Sequence, residues 1–378
     1  MLTSTDSPAV ARNAAPYLHG PETTALAAAL ESGQYGHNTD TEAFEEELAA
    51  FLGVADVVTT HRGTAALHMA LMVAGIGRGD EVVVPAQTFC ATIHAIRAAG
   101  GVPRFADIDP DTQCVTPGTV EAAITANTRA VLPVFYGGRA VDLTDLRLAD
   151  RDIAVVEDAA HAFGSRHRDR RRVGATGQLT CFSFGPIKNI TSIEGGAIVA
   201  RNHREGERLR TMRTLGIRAS QLTRIRSTDY RVDGFGLPYH LSAVHAAVGR
   251  VQLAHFEHVV ERRTALWRSY SRALAELEQV RLVEVDIDNT VPFNLVVRVR
   301  DRDRDQVFAR MKTAGIGVGV HYPPNHTQPA FERWYRRLPA TEHSAPQLLS
   351  LPFHPAMTDT DVTTVVAALA TALDPAAT

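Results

Sequence analysis

From residue 55 to 157 short apolar runs alternate with helix-length segments, and that alternation constrains this chain more than any other feature. The runs at 56–60, 81–85, 102–106, 129–135 and 153–157 are nearly continuous in Val, Ile and Ala, as strands buried on both faces are. Between them the spacing predicts helices over 63–74, 88–99 and 117–125, with a shorter one over 143–148. Strands separated by helical crossovers pair in parallel, so the pattern predicts an α/β fold whose mainly parallel sheet is covered on both faces. In such sheets ligands bind beyond the carboxyl ends of the strands, and the residues found there are the candidates for chemistry.

On the amino-terminal side, Pro21 opens a predicted helix over 21–32 that stops at Gly33. Asp40 or Thr41 caps the next, with Phe44, Leu48, Phe51 and Leu52 on one face and Glu42, Glu45, Glu46 and Glu47 on the other. On the carboxyl side, a helix over 204–215 leads into an Arg-rich segment, 216–233, and then into one long helical pattern over 242–277. Strands at 281–285 and 293–299, a helix over 303–314, a short segment at 317–321 and a last helix over 359–372 follow. Residues 1–245 are therefore expected to form a large unit, and 246–378 a smaller α+β unit reached by a long linking helix. With 378 residues, 45% of them hydrophobic, the chain can fill both cores.

Charge and cysteine usage narrow the class. Lys and Arg number 39 against 42 Asp and Glu, a formal charge of -3, so no global field favours nucleic acid or an anionic membrane. Cys90, Cys114 and Cys181 are odd in number and share no C-x-x-C spacing, which suits reduced thiols and predicts a cytoplasmic protein. The first fifteen residues lack the pattern of a secretory leader, and no apolar run approaches a spanning length.

Four loci fall at strand ends. In the first, Arg62-Gly63-Thr64-Ala65-Ala66-Leu67 opens a helix whose free N–H groups and Thr64 hydroxyl suit a phosphate, although threonine there is also an ordinary cap. The second is Phe89, an aromatic just past a strand, which either joins the core or lies flat on a planar ligand. At the third, Glu157 and Asp158 end a strand with one carboxylate on each face; Asp158 points into the site or caps a helix. In the fourth, an apolar strand ending at Ser183 and Phe184 delivers Lys188 into a turn rich in Gly, Pro, Asn, Thr and Ser, and Gly195-Gly196 opens the next strand. A lysine so placed either caps a loop or is desolvated into a nucleophilic amine.

Jointly, an amine, an anion-binding helix start, a carboxylate and an aromatic plate are the parts that pyridoxal phosphate needs. No metal is required. His321 and His326 flank two prolines that forbid a helix presenting both imidazoles on one face. His161, His240 and His245 are equally readable as core or interface histidines. The run Arg168, Arg170, Arg171 and Arg172 reads first as an exposed turn.

Those motifs resemble the DegT/DnrJ/EryC1/StrS sugar aminotransferases, pyridoxal phosphate enzymes of fold type I. The likeness runs from the Gly-Thr-Ala-Ala-Leu turn at Gly63 to Leu349-Ser350-Leu351-Pro352-Phe353-His354-Pro355. It is most specific in Glu157-Asp158-Ala159-Ala160-His161-Ala162 and in Phe182-Ser183-Phe184 through Lys188-Asn189 to Glu194-Gly195-Gly196. The resemblance implies a mainly parallel seven-stranded sheet in the large domain and a smaller α+β carboxyl-terminal domain. By position it implies that Lys188 holds the cofactor, Asp158 pairs with its ring nitrogen and Phe89 stacks on the ring. Thr64, Ala65 and Ser183 meet the phosphate, and His161 meets the 3-hydroxyl where the family often has glutamine. His321 and Tyr322 match a segment near the substrate, and the lysine separates the chain from the family's dehydratase branch. Where the family commonly has Asn-Tyr-Arg reaching the partner subunit's phosphate, this chain has Pro238-Tyr239-His240, and proline offers no donor.

The expected activity is transfer of an amino group from glutamate to a keto carbon of a nucleotide-linked deoxysugar by a homodimer with shared sites. Such chemistry serves antibiotic or surface-polysaccharide sugars. The Arg-rich segment 218–231 is either a grip for the sugar's diphosphate or a solvated loop. Alternatives are a keto-cyclitol aminotransferase and a non-catalytic cofactor-binding regulator.

Overall fold

Neighbouring residues of each central strand are buried on opposite faces: Val57, Val83 and Phe182 belong to one core, and Val58, Val82, Val84 and Cys181 to another. A strand buried this way needs cover on both sides. The computed structural model describes residues 8–218 and 228–374. Helices α1 (Glu22–Glu31) and α2 (Thr39–Leu52) precede β1 (Val57–Thr60), α3 (Gly63–Val73), β2 (Glu81–Pro85), α4 (Cys90–Ala98), β3 (Val102–Ala106) and α5 (Pro117–Glu121). Next come β4 (Thr128–Val131), β5 (Ala154–Asp158), β6 (Leu179–Ser183), β7 (Gly196–Val199), α6 (His203–Met212), α7 (Ala243–Ala254) and α8 (Phe256–Leu274). The chain ends with β8 (Val280–Leu282), β9 (Leu295–Val299), α9 (Arg304–Thr313), α10 (Pro339–Ser344), β10 (Leu348–Leu351) and α11 (Asp359–Leu373).

Seven strands form one sheet in the order β1-β7-β6-β5-β4-β2-β3. β7 runs antiparallel to β1 and β6, and the remaining pairings are parallel. This is the mainly parallel α/β architecture expected. Because β7 is reversed, its first residue, Gly196, lies at the same edge as the last residues of β1 and β6, paired with Thr60 and Ser183. A second, antiparallel sheet, β10-β9-β8, packs with residues of α8, α9 and α11 around a third core. Among the described residues no helix is long and apolar enough to cross a membrane.

Several local expectations are corrected. Asn38, not Asp40 or Thr41, caps α2: its side-chain oxygen accepts from the N–H of Asp40 at 3.0 Å and of Thr41 at 3.4 Å. Glu45 is not solvated; it is buried and accepts from the Thr59 N–H at 2.7 Å and from Arg213. Residues 143–148 form no α-helix but two 3-10 turns joined at Arg147, whose φ is +44°. The single linking helix expected over 242–277 breaks between α7 and α8 at His255, where the ring Nδ1 reaches the Val251 carbonyl at 2.9 Å. A side chain inserted into the i→i−4 ladder is a recognised cause of such breaks. Part of the Arg-rich segment, 219–227, lies outside the described residues.

Candidate active site

The carboxyl edge of the large sheet gathers the four loci. α3 starts directly after β1 with Arg62 as N-cap and no side-chain cap, leaving the N–H groups of Gly63, Thr64 and Ala65 without intrahelical acceptors. This start is pressed against two strand ends. A Cβ at Gly63 would stand 2.8 Å from Ser183 Cβ, and one at Gly196 2.7 Å from Arg62 C and Gly63 N. Glycine is therefore required for the backbone amides to sit beside Ser183. Thr64 is exposed, Ala65 buried and Ser183 half-buried. Arg62 pairs with Glu194 at 3.1 Å. A Cβ at Gly185 would see Ser183 Oγ at 3.8 Å, Lys188 Cγ at 3.9 Å and Glu194 Oε2 at 4.0 Å, so these groups share one concavity.

Asp158 and Glu157 end β5 on opposite faces, as alternation requires. Glu157 turns away and accepts from Thr180 Oγ1 at 2.6 Å and Thr176 Oγ1 at 3.2 Å; burial pushes its carboxyl up to about 7 against those two hydroxyls. Asp158 accepts from Thr92 Oγ1 at 2.8 Å and the Ala160 N–H at 3.2 Å. Burial raises its pKa, opposed by those two donors and by the Lys188 charge. Thr92 lies on α4, three residues beyond Phe89, the N-cap of that helix.

Lys188 sits in the turn between β6 and β7. Desolvation lowers its pKa to about 8, with Asp158 pulling the other way. Its Nζ lies 4.5 Å from the ring centroid of Phe293. The same ring has His161 stacked on it at 4.0 Å and 19°. His161 Nε2 is 3.0 Å from Tyr322 Oη, while its buried Nδ1 has no hydrogen-bond partner among the described residues. Burial, then Lys188 and His321, hold His161 well below the usual imidazole range.

His321 and Tyr322 arrive from the carboxyl-terminal part. Their carbonyls each accept from Gln87 Nε2 at 3.2 Å, and Asn325 Nδ2 donates to the Ala86 carbonyl at 3.2 Å and the Thr88 carbonyl at 2.6 Å. The segment is thus fastened to the end of β2. His321 Nδ1 meets Ser350 Oγ at 2.7 Å, and burial followed by the Lys188 charge lowers its pKa to about 4. Burial, then Asp158, raises the Tyr322 phenol. Phe89 is 55% exposed with its ring 5.6 Å from that of Tyr322, so it stands at the mouth rather than in the core.

Thr64, Ala65, Phe89, Asp158, His161, Ser183, Lys188, His321 and Tyr322 thus lie at this edge. His326 does not join His321: it is buried against Glu342 at 3.3 Å. Pro238 forms an isolated bridge with Thr214, and the Tyr239 carbonyl accepts from the His61 N–H at 2.9 Å, one residue before the start of the phosphate-like loop. Around Arg168 to Arg172 the chain makes an exposed turn, with Arg171 donating to Asp169 at 2.7 Å. A cavity of about 1290 Å³ lies elsewhere; it is lined by Asp80, Arg129 and Ile153 near the amino ends of β2, β4 and β5, and by neither Lys188 nor Asp158. Sequence reasoning missed Thr92, Gln87 and Phe293. The Thr88/Thr92 spacing on a helix leaving β2 was the available signal for the first.

The residues fit pyridoxal phosphate. An uncapped helix start with a free hydroxyl on Ser183, a poised amine, an anchored carboxylate and a buried imidazole with an unused nitrogen are complementary to its phosphate, aldehyde, ring nitrogen and hydroxyl.

Comparison with known proteins agrees. The model of the DegT/DnrJ/EryC1/StrS aminotransferase family matches residues 16–370. The aminotransferase TlmJ from Streptoalloteichus hindustanus is 30% identical and superposes with a TM-score of 0.89 over 96% of this chain and 98% of that one. DesV from S. venezuelae is 36% identical, with a TM-score of 0.85 over 93% and 94%. The sugar aminotransferase CalS13 from Micromonospora echinospora is 30% identical, with a TM-score of 0.86 over 94% and 98%. The chain is an enzyme of the DegT/DnrJ/EryC1/StrS aminotransferase family, whose members use pyridoxal 5′-phosphate.

Proposed function

We propose that the protein transfers an amino group from glutamate to a keto carbon of a nucleotide-linked deoxysugar, with Lys188 as the catalytic residue. The observation that carries the reading is the Lys188 amine, lowered to about 8, in one concavity with Ser183 and within the field of the Asp158 carboxylate. Thr64, Ala65 and Ser183 would hold the cofactor phosphate, Asp158 its ring nitrogen, Phe89 its ring face and His161 its 3-hydroxyl. When bound, the cofactor supplies an electron sink for the pair released at Cα of the amino donor.

The chain's own groups do the rest. Lys188 Nζ, whose pKa is lowered to about 8, takes the Cα proton as a base and returns it as an acid. Asp158, fixed by Thr92 and Ala160, holds its carboxyl in one position. His161 and His321, both held neutral by burial, add no competing positive charge near the amine. Tyr322 and Phe89 wall the mouth, where His321 and Tyr322 would meet substrate.

Likeness to CalS13, a sugar aminotransferase, supports the sugar reading. A homodimer with shared sites belongs to the same proposal. Leu215, Tyr230, Val232 and Phe235 are 50%, 59%, 58% and 71% exposed along one segment of this chain, more apolar surface than a lone subunit needs there. The test is a two-stage assay. Glutamate added to the cofactor-loaded enzyme converts the bound cofactor to its amine form, and nucleotide-linked keto sugars then restore the starting spectrum. Restoration by keto-cyclitols alone, or no response to glutamate, contradicts the proposal.

A further inference from the structure

Phe293 is fixed more firmly than a filler residue would be. Its N–H donates to the Gly137 carbonyl at 3.0 Å, and its carbonyl accepts from Arg263 Nη1 at 2.9 Å. That guanidinium is buried on α8, has no carboxylate partner among the described residues, and also donates to the Pro292 carbonyl at 3.2 Å. Two residues earlier, Val291 donates to Ser165 Oγ at 2.9 Å and accepts from Asn189 Nδ2 at 3.1 Å, the residue next to the lysine itself. Gly138 lets residues 290–292 lie close, since a Cβ there would be 2.6 Å from the Val291 carbonyl. All these bonds aim one ring, 5% exposed, between His161 and Lys188.

We propose that Phe293 is a further catalytic residue: the face of its ring is the seat of the Lys188 ammonium, and its stacking on His161 fixes amine and imidazole in one geometry. The proposal rests on Lys188 being the cofactor-holding amine. Among the described residues Lys188 Nζ has no hydrogen-bond partner, and the aromatic face, its centroid 4.5 Å from Nζ, is a group that discriminates ammonium from amine. A ring quadrupole attracts the cation and is indifferent to the neutral form. The other groups facing the lysine are Asp158 from β5, His161 from the turn after it, and His321 and Tyr322 from the loop fastened to β2; Glu194 stands across Gly185. Asp158 alone among the first four carries charge of the sign that holds a proton on the amine, and the ring adds to it. Phe293 therefore keeps the amine protonated to a higher pH than burial alone allows and limits where its nitrogen can swing.

The chain contains two lysines, Lys188 and Lys312, so the amine can be read without cofactor or turnover. Cofactor-free protein is pulsed with acetic anhydride across a pH series and the two lysine peptides are quantified. Replacing the ring in Phe293→Leu lowers the Lys188 labelling midpoint by about 0.4–1.5 pH units, the roughly 2- to 30-fold worth of a cation–π contact, and leaves exposed Lys312 unchanged. A merely structural role gives the opposite sign, because loosened packing rehydrates the amine and raises the midpoint. Site-specific 3,5-difluorophenylalanine at 293 keeps shape and fold while weakening the ring face, and shifts the midpoint in the same downward direction by less; Phe293→Tyr restores it. An unchanged or raised midpoint in the fluorinated protein overturns the proposal. Wild-type Lys188 failing to capture cofactor at all overturns the reading of the site instead.

Discussion

Asp158 depends on the Thr92 hydroxyl, which is itself 2.9 Å from Thr88 Oγ1. Burial favours its neutral form, and Thr92 Oγ1 at 2.8 Å is the first opposing contribution. Thr92→Val keeps the shape and removes the donor, so the carboxyl pKa rises and cofactor affinity falls about 10- to 100-fold, as for loss of a hydrogen bond to a charged group. Fluorescence titration with pyridoxal phosphate measures it, and Thr92→Ser recovers most of the loss. The neighbour, Glu157, offers a separate test. Its folded pKa of about 7 exceeds the ordinary value of 4.5, so its contribution to stability is fully present below pH 4.5 and is lost as pH rises through about 7. Urea midpoints followed across that window show the decline in wild type, and Glu157→Gln flattens it; an identical decline in the variant contradicts the assignment. Both carboxylates were legible in the sequence, because adjacent residues ending a buried strand must face opposite ways. Thr92 and Phe293 were not, since one comes from the next helix and the other from about a hundred residues downstream of the lysine it touches, and no local period encodes such meetings.

Among elements, the junction of α3, β6 and β7 carries the site. Gly196 abuts backbone atoms of Arg62 and Gly63 that cannot rotate away, so Gly196→Ala displaces the start of α3. The expected cost is about 1–3 kcal/mol of stability together with weakened phosphate binding, read from urea unfolding and from cofactor titration. Strands β1 to β5 and helices α3 to α5 were placed within a few residues from the alternation alone, whereas the helix read over 143–148 is two 3-10 turns. Where that reading failed, a tertiary partner had taken over. Glu45 sits at a position that a helix pattern assigns to solvent, yet Arg213 and Thr59 bury it. The break at His255 has neither glycine nor proline to announce it. β10 was quoted only as a motif, Leu349-Ser350-Leu351, because its period is too short to distinguish strand from turn before β9 is seen beside it.

At the scale of the molecule, the reversed β7 brings both ends of the Lys188 turn to the edge where the parallel strands finish. A lysine in this turn therefore meets Asp158 from β5 and the helix start after β1 without any long excursion. Segment 228–235 supplies exposed apolar side chains next to this edge's supporting loop, where Tyr239 bonds to His61. Sedimentation equilibrium is expected to give twice the chain mass, and Phe235→Asp to shift it toward the single chain. The central claim is that Lys188 is the amine that captures the cofactor, and two lysines make it directly readable. Borohydride reduction of the pyridoxal phosphate-loaded protein, followed by peptide mass analysis, places the added mass on the Lys188 peptide and none on Lys312, and Lys188→Ala loses both the label and turnover. Label on Lys312, or a Lys188→Ala protein that retains full activity, contradicts the account.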